Sequence, residues 1–98
     1  MIEPGRYKHE HYHEYSESEV YVGKIILDVK ETAKSIRLKL VYNSVRYDAP
    51  QIDAMFANGD SVKINKNGSV HALQDWGDNS FTLYPYRVGV PYVFRIEE

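Results

Sequence analysis

The sequence predicts a mainly β domain: a small antiparallel sandwich or barrel of about six to seven short strands with one short helix, an α+β arrangement being the alternative. Three observations predict it. Short β-branched and aromatic runs recur, separated by turn residues roughly every eight to twelve positions. Ile36, Leu38, Leu40 and Tyr42 alternate with Arg37, Lys39, Val41 and Asn43, the period of two that a half-buried strand requires. Helical spacing of apolar residues is confined to one stretch, near residues 49–58.

Taken in order, residues 1–19 read as a polar His/Tyr/Glu-rich tail or edge strand, and residues 20–98 as a single compact domain. Arg6 and Lys8 stand there against Glu3, Glu10, Glu14, Glu17 and Glu19. Aliphatic residues are nearly absent from Pro4 to Glu19, so little offsets the entropy of ordering. Val20 to Val29 is β-branched and short, which predicts a strand. A polar connection, Lys30 to Lys34, leads to the alternating strand 36–42, and the two are expected to form an antiparallel hairpin.

Asp48-Ala49-Pro50-Gln51 has the makings of a helix start: a capping Asp, a proline in the first turn and Gln three residues after the cap. Ile52, Met55 and Phe56 give one apolar stripe, and Asn58-Gly59 supplies a stop. Such a short helix depends on packing against the sheet. Asp60–Ile64 and Ser69–Leu73 flank Asn65-Lys66-Asn67-Gly68, a hairpin signal. A turn at 75–79 precedes a strand through Phe81 and Leu83 that ends at Pro85. Residues 86–91 form a connection or edge, because Pro91 cannot donate to a central ladder. Tyr92, Phe94 and Ile96 alternate with Val93, Arg95 and Glu97 in a last strand.

Bulk properties exclude several functions. A chain of 98 residues is one domain with a single modest core. It has no cysteine, which rules out disulfides, thiolate metal sites and cysteine nucleophiles, and favours a reducing, cytoplasmic setting. The net charge is −2 and the 12 basic residues are scattered, so no basic stripe is available for nucleic acid. No apolar run reaches the roughly 20 residues of a membrane span, and the first residues lack the apolar stretch of a signal peptide. Asn67-Gly68-Ser69 fits a glycosylation sequon but reads as a turn. Neither a Gly-x-Ser-x-Gly elbow nor a phosphate-binding glycine loop is present. Asp75 and Asp78 lie in a turn, where carboxylates usually cap backbone amides.

Two sets of residues remain as candidates. Trp76, Tyr84, Tyr86 and Tyr92 come from the C-terminal turns and strands, and on one exposed face they form an aromatic platform. The corresponding function is a non-enzymatic interaction or ligand-binding domain without a cofactor. It would bind a protein partner, its own copy or a small ligand on the aromatic surface. An exposed sheet edge offers a partner strand a further mode of attachment.

The second set is histidine. Three of the four histidines, His9, His11 and His13, fall within five residues. In an extended strand all three rings point the same way, and neutral imidazole is the commonest metal ligand. Gly5, His11, His13 and Glu17, followed by Gly23 one residue early, resemble the first motif of the cupins. Gly59 to Ile64, then Gly68 and His71, is similar to their second motif with one residue inserted. Asn65 stands where the proline is usual, and Asp75 where an asparagine follows the histidine. The resemblance implies a β-barrel holding a divalent metal ion through His11, His13, Glu17 and His71, and with it an enzymatic function. Without it, His9, His11 and His13 belong to a solvated tail, and His71 is an ordinary strand histidine between Val70 and Ala72. Removing residues 1–17 should leave a stable fold if they are a tail, and should destroy the site if they carry the metal.

Overall fold

The computed structural model describes residues 2–15, 17–45, 49–66, 68 and 70–97. Seven strands form one antiparallel sheet: β1 (Gly5–Tyr15), β2 (Ser18–Glu31), β3 (Ser35–Asn43), β4 (Ser61–Asn65), β5 (Ala72–Asp75), β6 (Ser80–Tyr84) and β7 (Tyr92–Ile96). Their order is β4-β3-β2-β1-β7-β6-β5. The sheet curls into a nearly closed barrel, with a single short helix, α1 (Pro50–Met55), between β3 and β4. The mainly β class and the single helix therefore match the sequence expectation. No helix among the described residues is long and apolar enough to cross a membrane.

The curl has local causes. β1 and β2 pair from Gly5↔Val29 to Tyr15↔Ser18, with a register shift between His11 and Tyr12 that leaves Val22 as an extra residue. A second shift, at Ile26/Leu27, leaves Val41 extra in β3. Each such bulge bends the strand and increases its twist. Between the two shifts, at Gly23, β2 passes against Ser44, where an added Cβ would lie 2.5 Å from Ser44 Oγ.

The alternation along β3 holds from Ile36 to Leu40, with Ile36 and Leu38 buried and Arg37 and Lys39 exposed, and breaks at the Val41 bulge, beyond which Tyr42 is 48% exposed. The core is built from Tyr7, Leu27, Leu38, Phe81, Leu83, Tyr92 and Phe94, and α1 adds Ile52 and Met55. Phe81 and Phe94 stack at 5.3 Å, and Tyr7 tilts against Phe81 at 5.1 Å. Such aromatic pairs supply the volume that a small core needs.

Two expectations are corrected. Residues 5–15 are not a tail: β1 pairs with β2 along its length, and at Tyr7 and Lys8 it is flanked by β7 as well, so this part is interior rather than edge. Tyr7 explains this, since its ring is wholly buried and its hydroxyl donates to the carbonyl of Glu3 at 2.7 Å. Rings take the place of the missing aliphatic side chains. The two strands flanking the Asn67-Gly68 turn do not pair with each other: β4 pairs with β3, and β5 with β6. Asn67 and Ser69 of the sequon lie outside the described residues. The helix falls within the expected stretch near residues 49–58. It begins after Ala49, which makes no side-chain cap bond, has Pro50 in its first turn, and ends at Met55. The capping Asp48 also lies outside the described residues. The stripe of Ile52, Met55 and Phe56 is buried as expected.

Candidate functional site

The inner face of β1 presents Tyr7, then His9, then His11, because strand side chains alternate. Tyr7 belongs to the core, and His9 and His11 extend the same row beyond it. The ladder between β1 and β7 consists of Tyr7↔Ile96 and Lys8↔Arg95. Where it stops, the His9 ring takes over: Nδ1 lies 2.9 Å from the carbonyl oxygen of Val93. A carbonyl oxygen only accepts, so Nδ1 carries the proton and Nε2 carries a lone pair. That Nε2 is 3.1 Å from Nδ1 of His11.

Aromatic rings hold this pair in place. Tyr92 meets His9 edge-on at 5.2 Å and stacks on His11 at 5.9 Å, and Phe94 lies 5.5 Å from His9. Burial pushes the His9 pKa below the ordinary imidazole value, outweighing the opposing effect of the Val93 carbonyl. Burial also raises the Tyr92 phenol, with the charge of Asp53 on α1 adding to it.

The outer face of the same two strands differs. β3 ends at Asn43 opposite Ile25, and β7 begins at Tyr92. Beyond these points β1 and β2 continue as a two-stranded arm, and among the described residues no other strand flanks it. The molecule is accordingly elongated, 43 × 28 × 22 Å. Tyr12 and Tyr21 lie opposite each other on the arm with rings 5.5 Å apart, and are 47% and 52% exposed. Tyr42, 48% exposed, follows on that face, with Lys24 Nζ 5.8 Å from its ring centre. Lys8 pairs with Glu10 at 3.1 Å, and Tyr12 donates its hydroxyl to Glu10 at 2.9 Å.

The expected aromatic platform is not assembled. Tyr92 is 1% exposed and belongs to the core. Trp76 is 57% exposed and folds over β6, donating from Nε1 to Thr82 Oγ1 at 2.9 Å. Tyr84 is half-buried at the end of β6, opposite Ala72. Tyr86 packs against His71 in the loop before β7. The pairing of Tyr12 with Tyr21 depends on β1 joining the sheet, which residues 1–19 as a tail or edge strand do not imply.

The cupin-type set is likewise scattered. His11 stacks on Tyr92, Glu17 is exposed at the turn of the arm, and His71 donates from Nδ1 to the Pro85 carbonyl. Among the described residues no group of three or more His, Asp or Glu side chains is placed to hold a metal ion. His71 instead lines a cleft of about 250 Å³ near the barrel seam, together with Glu31, Lys66, Asp75 and Arg87. Lys66 already pairs with Glu31 at 3.6 Å, and Arg87 donates to the Gly68 carbonyl at 2.8 Å. No family model matches the chain, and no curated protein or solved structure matches it.

Proposed function

We propose that this protein is a non-enzymatic interaction domain whose contact surface is the outer face of the β1–β2 arm, and whose partner is a second copy of the same chain. The observation that carries the reading is the exposed tyrosine pair, Tyr12 and Tyr21, on an arm standing clear of the rest of the sheet. Tyrosine is enriched at interface centres, and an exposed apolar cluster rimmed by charge marks a contact site.

Charge argues for a second copy. Glu17 and Glu19 are exposed at the tip of the arm, and Lys8 and Lys24 lie at its root. Two arms packed face to face about a two-fold axis place the tyrosines at the centre and each acidic tip over the other's basic root. This is the self-complementarity that an isologous contact requires. A cytoplasmic setting fits a chain without cysteine.

Sedimentation over a range of concentrations tests the reading. A monomer–dimer equilibrium is expected, weakened by Tyr21→Ser and by Lys24→Glu. The double variant Lys24→Glu with Glu19→Lys should regain it, because the charge pattern is then restored in reverse. A monomer at every concentration, or a dimer indifferent to these changes, would sink the proposal.

A further inference from the structure

We infer that His9 Nε2 and His11 Nδ1 form a two-imidazole site for a borderline divalent cation of the zinc type. The inference is independent of the arm contact and shares only His11 with the cupin pattern. Three features on the inner face support it.

First, the two nitrogens are 3.1 Å apart. Two ligand nitrogens on one zinc, each at about 2.0–2.1 Å, are separated by a comparable distance. Second, the outer nitrogen of His9 is already committed. Its Nδ1–H donates to the Val93 carbonyl at 2.9 Å, which fixes the tautomer and leaves Nε2 basic. A backbone carbonyl holding the far ring nitrogen is the arrangement that orients histidine ligands in metal sites. Third, the ring positions are constrained before any ion arrives. The two imidazole planes are inclined at 58°, and Tyr92 touches both rings. The cation takes the place of the proton that His11 Nδ1 shares with His9 Nε2; by exchange with solvent that proton is then carried on His11 Nε2, so both ligands remain neutral imidazoles. Two protein ligands leave the remaining positions to water, in keeping with the lack of a three-residue acidic or histidine group among the described residues.

The test is a Zn²⁺ titration of the untagged full chain, followed by calorimetry and by long-range ¹⁵N NMR of the imidazoles. One equivalent should saturate, with the resonances of His9 Nε2 and His11 Nδ1 moving together. His9→Ala and His11→Ala should each weaken binding by about tenfold or more. His71→Ala should leave it unchanged. Because His9 is half-buried, the wild-type ¹⁵N shifts decide the matter if His9→Ala fails to fold. Binding lost in His13→Ala but kept in His9→Ala would overturn the inference by placing the ion on the far end of the tract. So would the absence of saturable binding.

Discussion

The His9 ring and the Val93 carbonyl form a 2.9 Å hydrogen bond at the point where the β1–β7 backbone ladder runs out. A side chain here continues the pairing of two strands that have begun to diverge. The bond dictates a tautomer: proton on Nδ1, lone pair on Nε2. In metal-free buffer near neutral pH, long-range ¹⁵N spectra should show the Nδ1–H form at His9. The Nε2–H form would mean that the ring does not donate to Val93.

Truncation tests the placement of β1. Removing residues 1–17 takes away an interior strand and the buried Tyr7 ring. Both β2 and β7 then become edges, and the core loses a large aromatic. Loss of one buried aromatic side chain alone costs about 3–5 kcal/mol, comparable to the whole stability of a small domain. The truncated chain should show no cooperative thermal transition by circular dichroism. A folded truncated chain would restore the tail reading.

Gly23 is a packing constraint. A Cβ there would meet Ser44 Oγ at 2.5 Å and the Ser44 backbone carbon and oxygen at 3.0 Å. Turning the hydroxyl away breaks its bonds to the Lys24 N–H and carbonyl, at 2.9 and 3.3 Å, and the backbone cannot turn away at all. Gly23→Ala should therefore destabilise the fold by about 1–3 kcal/mol, read as a lower urea midpoint. Ser44→Gly in the same chain should recover only part of the loss.

Asp75 should give the fold an acid-sensitive contribution. The backbone N–H of Gly77 donates to its carboxylate at 2.9 Å, and this bond is the largest cause of a lowered pKa. A carboxyl whose pKa is depressed by folding binds fewer protons folded than unfolded, so its stabilisation is present above the ordinary value of 3.8. That contribution is lost as pH falls from there through the depressed folded value. Asp75→Asn should lower the urea midpoint at neutral pH, and the gap from wild type should close as the buffer is acidified through that window. A gap that stays constant would show that charge at Asp75 does not matter.

The sequence by itself determined the class of fold. Period-two alternation along 36–40 and 92–97 reports which face of a strand is wet, and that information is local. The proline and apolar stripe of residues 50–56 place the helix for the same reason. Tertiary structure alone decided where β1 sits. Its inner face carries Tyr7, His9 and His11, residues whose rings are apolar on the body and polar at the tip, so composition could not tell a solvated tail from an interior strand. The choice depended on Phe81, Tyr92 and Phe94, some 70 to 90 residues away, arriving to pack against those rings. The same long-range pairing separated Tyr92 from Trp76 and Tyr86, and brought His9 and His11 together under Tyr92. It also left Tyr12 and Tyr21 on an arm that neighbouring strands are too short to cover.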